Sequence, residues 1–342
     1  MNKDKFKKCF KNKVILVTGA AGSIGKEIVK KLLDFDTKVI RALDNNETGL
    51  FDLEQELHSD KIRYFIGDIR DKERLVKAMD DVDIVFHTAA LKHVPLCEYN
   101  PFEAVKTNVV GTENLIEVAR EKKVEKFITI STDKAVDPNN VLGASKLLSE
   151  RLTISANSFK GGKPTIFSCI RFGNVLASRG SVVVEFLRQI SKGGPIFITD
   201  PRMTRFVMSI SQSVNLIIKA TLDMKGGEIF ILKMPALNIK DLAEVMIDEY
   251  SNLWGYSSKD ISIKYIGTRP GEKIHEKLIA ESEVDYLIER EDMYIILNQP
   301  SNIKKRSIRK IDYSSNKCYL LTKEEIRVLL RKNLNINKIM SI

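Results

Sequence analysis

Residues 14–25 read VILVTGAAGSIG, and no other stretch constrains the fold of this 342-residue chain as strongly. Val14 to Val17 read as a short apolar strand, and Ile24–Leu33 has the spacing of an amphipathic helix. The glycines at 19, 22 and 25 fall directly between the two. Gly19 permits a tight turn, Gly22 lets backbone N–H groups approach a pyrophosphate, and Gly25 allows close helix packing. The helix amino terminus then faces the phosphate charge. Ser23 and Ile24 lie in the same turn and count with the three glycines as dinucleotide-binding residues.

The rhythm continues through the first half. Lys38–Leu43, Ile62–Ile66, Val82–His87 and Lys126–Ser131 read as strands, Phe102–Arg120 as a helix, then Leu142–Ala156 as a helix and Thr165–Phe172 as a strand. Short apolar runs separated by helices predict a parallel sheet covered on both faces. The expected fold is α/β: a doubly wound parallel Rossmann sheet with a smaller, discontinuous substrate-binding lobe. The sheet domain is expected over 13–173 plus 206–235, the lobe over 174–205 plus 236–330, and basic termini at 1–12 and 331–342. Ser209–Met224 is the helix expected to rejoin the sheet.

Composition narrows the function classes. A chain with 43% hydrophobic residues is too apolar for disorder, and no run approaches the ~18 apolar residues of a membrane helix. The basic start followed by an apolar run mimics a secretion signal, but glycines end that run after four residues. The four cysteines show no zinc or redox spacing, so reduced thiols and a cytoplasmic location are expected, with no metal site. The formal charge of +10 sits at the ends: residues 1–13 carry +5, residues 301–342 carry +8, and residues 14–300 carry −3. A slightly acidic middle argues against a nucleic-acid binder. Phe6, Cys9 and Phe10 would share one helical face among lysines, which suggests peripheral contact with an anionic membrane.

The glycine spacing, two residues between each pair after a threonine, resembles that of the extended short-chain dehydrogenase/reductases. Asp44 closes the second strand, where a carboxylate accepts both ribose hydroxyls and repels a 2′-phosphate, so NAD is expected over NADP. Asn45 counts with it; no arginine follows to hold a phosphate, and Arg41 lies inside the strand. Asp68, followed by Ile69, resembles the family's adenine-contacting acid, with a helix cap for 71–79 as a compatible reading. Ala89 and Ala90 are small enough to let the cofactor pass close to the backbone.

The family's catalytic tyrosine, four residues before Lys146, is replaced by Leu142, which has no proton to exchange. Asp133-Lys134, on the turn after strand five, instead resembles the acid–base pair of sugar-nucleotide 4,6-dehydratases. That reaction oxidises C4, which acidifies the C5 proton; a base removes it while an acid protonates the departing C6 hydroxyl, and reduction at C6 closes the cycle. A lysine acting as base must be partly neutral, so its pKa is expected to be depressed. The nearer resemblance is to the dehydratases of polysaccharide and glycan synthesis that act on UDP-N-acetylglucosamine. It rests on Ala90-Leu91-Lys92-His93-Val94-Pro95, Ser131-Thr132-Asp133-Lys134-Ala135, Arg171-Phe172-Gly173-Asn174-Val175, Met203-Thr204-Arg205-Phe206 and Arg269-Pro270-Gly271-Glu272-Lys273. The large membrane-anchored members have methionine at the tyrosine position, and this chain resembles their soluble catalytic half.

The resemblance implies Asp133 as general acid, Lys134 as the base at C5, Thr132 on the C4 oxygen and Lys146 on the nicotinamide ribose. Asp133, Lys134 or a water held by Thr132 are candidates to deprotonate the C4 hydroxyl. Asn174, Arg205 and Arg269 would serve the UDP phosphates, Glu272 a ribose, and Lys92 and His93 the sugar. His275 reads as structural. A homo-oligomer formed through helices flanking the sheet is expected by the same analogy. A 4-epimerase and a non-catalytic NAD-binding regulator are the competing readings.

Overall fold

The computed structural model describes residues 3–159, 161–162, 164–298, 311–334 and 336. In the first half the strands are β1 (Val14–Thr18), β2 (Val39–Asp44), β3 (Ile62–Ile66), β4 (Ile84–His87), β5 (Lys126–Thr132) and β6 (Ile166–Phe172). The second half adds β7 (Asn174–Val175), β8 (Ile196–Ile198), β9 (Thr204–Met208), β10 (Ile229–Leu232) and β11 (Ala236–Asn238). It ends with β12 (Ile263–Tyr265), β13 (Leu287–Glu289) and β14 (Met293–Ile296). The helices before β5 are α1 (Lys3–Phe10), α2 (Ser23–Leu32), α3 (Glu47–Leu57), α4 (Lys72–Ala78), α5 (Val94–Tyr99), α6 (Pro101–Val105) and α7 (Gly111–Glu121). After it come α8 (Val141–Phe159), α9 (Val182–Ile190), α10 (Ile210–Asp223), α11 (Ile239–Tyr250) and α12 (Lys323–Asn333).

Nine strands form one sheet in the order β13-β14-β10-β6-β5-β4-β1-β2-β3. From β10 to β3 every pairing is parallel, and β1, with all five residues buried, takes β2 on one side and β4 on the other. The switch in strand order at β1 opens the crevice in which such folds bind ligands. The doubly wound sheet expected from the apolar runs is therefore present.

Two boundaries differ from those read on sequence. Residues 287–296, grouped with the lobe, extend the main sheet: β14 pairs antiparallel with β10, and β13 antiparallel with β14. Thr204–Met208, partly assigned to the sheet domain, instead lies between β11 and β7 in a three-stranded lobe sheet. Short apolar runs carry no mark of which sheet they join.

The lobe has its own core, in which Phe186, Leu187 and Ile190 of α9 meet Leu242, Val245 and Met246 of α11 and Ile326 and Leu330 of α12. At the other end of the molecule, α1 does not offer its apolar face to a bilayer. Phe6 and Phe10 are buried in the main core, Phe10 with its ring 5.2 Å from Phe35. The helical face taken as free for a membrane is already covered by protein, so the membrane contact loses its apolar element. Among the described residues, no helix is long and apolar enough to cross a membrane.

The segment that leads from the lobe back into β13 is pinned to the sheet by Arg171 of β6, which is fully buried. Its Nε and Nη2 donate to the two oxygens of Glu150 on α8 at 2.9 and 2.7 Å. Its Nη1 and Nη2 donate to Glu283 at 2.8 and 2.9 Å, and Nη1 also donates to the Leu278 carbonyl at 2.9 Å. All five guanidinium protons are thus used. Removing one partner strands a buried charge, so Glu283→Ala should lower unfolding free energy by about 3–5 kcal/mol in urea titrations.

Candidate active site

Gly19 ends β1 at φ +68°, and a Cβ there would lie 2.7 Å from the Ala89 nitrogen. A Cβ at Gly25 would lie 2.1 Å from the Gly19 carbonyl oxygen, so α2 rests directly on the turn it leaves. Asp44 at the end of β2 accepts the Ala21 N–H through one oxygen and the Asn46 N–H through the other, each at 2.9 Å. Both oxygens keep lone pairs for ribose hydroxyls. Arg41 points elsewhere, donating to the Ala78 carbonyl at 2.8 Å. The cradle thus fits a dinucleotide whose ribose carries no phosphate.

Asp68 is clasped by Arg70, whose Nη2 approaches to 2.6 Å and whose hydrogen bonds lower the carboxyl pKa. It does not cap the next helix; Asp71 does, accepting the Arg74 N–H at 3.0 Å. Ile69 is seated against Gly111, where a Cβ would come within 2.6 Å. The loop carrying Ala89 and Ala90 is gripped by Asn108, which accepts the Leu91 N–H at 2.8 Å and donates to the Leu91 carbonyl. Asn108 reaches it from a π-helical turn, residues 106–110, inside the helical stretch predicted over 102–120. Sequence reasoning missed this residue, because helix periodicity does not mark a π turn.

His87 is buried between Thr18 and Thr112, 3.0 Å from each hydroxyl. Thr112 gives its own proton to the Asn108 carbonyl, so His87 Nε2–H donates to Thr112 and Nδ1 accepts from Thr18. Burial brings the His87 pKa down to about 3, with Lys146 adding to the shift, and the ring stays neutral. It acts as a spacer between β1 and the helices behind the site.

At the end of β5, Thr132 leads into a 3₁₀ turn over Asp133–Ala135. Asp133 is fully buried; its Oδ1 accepts the Thr132 hydroxyl at 2.8 Å and the Lys134 ammonium at 3.0 Å. Helix α8 passes close over this turn because residue 143 is glycine: a Cβ would lie 2.3 Å from the Lys134 carbonyl oxygen. Lys146 projects from α8 and donates to the Ile130 carbonyl at 2.6 Å. Burial lowers its pKa to about 8 against the opposing pull of Glu150 and Cys169. Leu142 is buried in an apolar socket beside Cys97 and Ala104.

One expectation changes here, and one residue enters that the sequence did not point to. Burial does pull the Lys134 pKa down, but Asp133 and Glu276 outweigh it and the pKa is raised, so the resting side chain is an ammonium. Glu276 itself went unread. It is 3% exposed, with Oε1 3.8 Å from Lys134 Nζ and 4.0 Å from Arg205 Nε. Its N–H donates to Ser315 Oγ at 3.0 Å, and its carbonyl accepts the Ser315 N–H at 2.8 Å. The one sequence signal was a second acid in the segment after Arg269-Pro270-Gly271.

The sugar-nucleotide end is assembled unevenly. Lys92 donates to the Arg179 carbonyl at 2.6 Å, and the Arg179 N–H donates to Ser23 Oγ at 2.9 Å. Gly180 lies against His93, where a Cβ would come within 2.4 Å. One loop therefore joins Lys92, His93 and the glycine turn. Asn174 and Arg205 line a cavity with Leu176, Phe206 and Leu237. Arg205, however, is not a free phosphate fork. Its terminal nitrogens donate to the carbonyls of Thr204, Lys273 and Ile274 at 2.8–3.0 Å, and its remaining edge faces Glu276. Arg269 is exposed, and Glu272 closes its own turn by accepting the Arg269 N–H at 3.1 Å. His275 bonds Thr204 at 2.8 Å, and among the described residues no cluster of metal ligands occurs.

A glycine turn feeding a helix, a carboxylate closing the second strand and an acid–amine pair on the turn after β5 are the parts of an extended short-chain dehydrogenase/reductase of the nucleotide-sugar class. Residues 15–298 match the polysaccharide biosynthesis protein family model, and the chain belongs to that family. An uncharacterized membrane protein of Methanocaldococcus jannaschii is 61% identical over 323 residues, 94% of this chain and 96% of that one. The inverting UDP-N-acetylglucosamine 4,6-dehydratase of Campylobacter jejuni is 44% identical, covering 84% and 83%. A UDP-glucose 4-epimerase of Rickettsia canadensis is 38% identical, covering 94% and 96%. Among solved structures, Pen from Bacillus thuringiensis superposes with a TM-score of 0.90 at 44% identity, over 95% of this chain and 98% of that one.

Because a methyl at residue 25 meets the Gly19 carbonyl, Gly25→Ala should weaken binding of a nicotinamide dinucleotide at least about tenfold by calorimetry.

Proposed function

We propose that this chain is an NAD-dependent 4,6-dehydratase converting a UDP-sugar, UDP-N-acetylglucosamine first among candidates, to its 4-keto-6-deoxy product for polysaccharide or glycan synthesis. One observation carries the reading: Asp133 and Lys134 touch at 3.0 Å on a buried turn, while Leu142 fills the tyrosine position from an apolar socket. The 44% identity to the Campylobacter jejuni dehydratase supports it. The Rickettsia canadensis epimerase supports a second reading, but 4-epimerisation has no elimination step to use an acid–amine pair.

Gly19, Gly22 and Gly25 with Asp44 would hold NAD, Asp44 on the adenosine ribose, while Lys146 would hold the nicotinamide ribose. Bound NAD supplies a reversible two-electron acceptor, so that C4 is oxidised and C6 later reduced without net consumption. The chain's own residues handle the protons. Thr132 already donates to Asp133, so its hydroxyl relays the C4 proton: it gives one to Asp133 as it takes one from the sugar. Asp133 then holds the proton that the C6 oxygen needs to leave as water. Lys134, as the free amine, takes the proton from C5 and returns it there after C6 is reduced. The burial of Asp133 and Lys146 keeps bulk water from competing.

The oligomer belongs to the same proposal. Leu96, Tyr99 and Phe102 are exposed apolar side chains on α5 and α6, and by analogy they would pair copies of the chain.

Incubated with UDP-N-acetylglucosamine and NAD, the protein should yield a product lighter by one water, with no NADH accumulating. Asp133→Asn and Lys134→Ala should each lower turnover at least about 100-fold while NAD still binds. A product isomeric with the substrate would favour the epimerase.

A further inference from the structure

We propose that Glu276 is the proton acceptor that unloads the Lys134 ammonium, so that the amine is free when C5 is to be deprotonated. The inference rests on the dehydratase reading above and follows from counting protons. In the resting site the Asp133 carboxylate faces a Lys134 ammonium, so this pair already holds one exchangeable proton. Oxidation at C4 delivers a second, through Thr132, to Asp133. Asp133 must keep that one for the departing C6 oxygen, and therefore has no place for the lysine's. Unless the ammonium proton goes elsewhere, Lys134 has no lone pair to use at C5.

The groups facing Lys134 reduce the choice. Asp133 approaches from the same turn, Glu276 from the lobe segment, Arg205 from β9, and Lys273 stands beside Glu276. The two cations cannot accept a proton. Lys273 is moreover tied to the Val136 carbonyl at 2.6 Å and Arg205 to backbone carbonyls. Glu276 remains. Its Oε1 is 3.8 Å from the ammonium nitrogen, about 1 Å beyond a charge-assisted hydrogen bond. Its other oxygen is buried without a hydrogen-bond partner. Ser315 fixes the Glu276 backbone on both its N–H and its carbonyl, so the carboxylate has only side-chain torsions with which to close that gap.

The cycle balances. Lys134 passes its proton to Glu276; Asp133 receives the C4 hydroxyl proton; Lys134 takes the C5 proton as Asp133 protonates the C6 oxygen and water leaves. After reduction at C6, Lys134 reprotonates C5, and Glu276 returns its proton to the amine. Glu276 never touches the sugar in this scheme, so it is a positioning residue for a proton rather than a catalytic residue.

A proton shared internally makes the neutral-amine fraction independent of solvent pH, and this distinguishes the role from mere packing. With UDP-N-acetylglucosamine, wild-type kcat should be level from about pH 7 to about pH 9. Glu276→Gln should be at least about tenfold slower near pH 7 and should gain about tenfold per pH unit as solvent takes over the deprotonation. Glu276→Asp, an acceptor set further back, should fall between them and recover part of the level profile. A Glu276→Gln profile parallel to wild type overturns the proposal. Wild-type protein that removes no water would instead overturn the dehydratase reading.

Discussion

Arg171 carries a full charge at a point with no solvent exposure, and it is stable there because each of its five protons is donated. Those donations run in two directions. On one side they hold Glu150, one turn beyond Lys146 on α8; on the other they hold Glu283 and the Leu278 carbonyl, in the segment that follows Glu276 and leads into β13. The high cost of separating a buried ion pair makes this junction effectively all-or-none. Glu276, two residues before Leu278, is thereby held beside the Asp133–Lys134 turn. One ion cluster holds the returning segment in the core, and a second, proposed to perform the chemistry, lies a few residues away.

The second cluster is preorganised in the sense that matters for proton transfer. Thr132, Asp133 and Lys134 are consecutive, and the 3₁₀ turn folds their polar atoms onto one carboxylate oxygen. Gly143 lets α8 close over them, and Leu142, just before it, seals the space that a tyrosine would occupy with apolar packing. The loss of the phenol removes a proton carrier but leaves Thr132 and Asp133 in series, with Glu276 behind Lys134. Directly contacting groups of opposite proton demand are what an elimination needs, and the carboxylate of this pair is buried while the amine is only half-buried.

What could be read from the sequence was what is local in it. The glycine turn, Asp44 at the end of β2 and the Asp133-Lys134 dipeptide are each marked within a few residues, and they lie between β1 and α2, at the end of β2 and on the turn after β5. Features that depend on two distant segments meeting were not legible. Glu276 acquires meaning only when its loop lands on Lys134, Asn108 only when a π turn rotates it toward Leu91. Arg205 has the right residue type for phosphate, yet backbone carbonyls claim its donors. Phe6 and Phe10 made an amphipathic helix on paper, and the periodicity was right, but the apolar face belongs to the protein's own core. Periodicity reports a buried face without saying what buries it.

The most direct test of the account is the fate of hydrogen during turnover of UDP-N-acetylglucosamine in deuterium oxide, followed by proton NMR of the isolated product. In deuterium oxide the Lys134 nitrogen already carries deuterium before turnover, so after taking the C5 proton it can return deuterium in its place, while the hydrogen moved from C4 to C6 never meets water. The product should carry deuterium at C5 and the original C4 hydrogen in its C6 methyl group. A product that keeps its C5 hydrogen in full, with the C6 hydroxyl still in place, would contradict elimination by the Asp133–Lys134 pair.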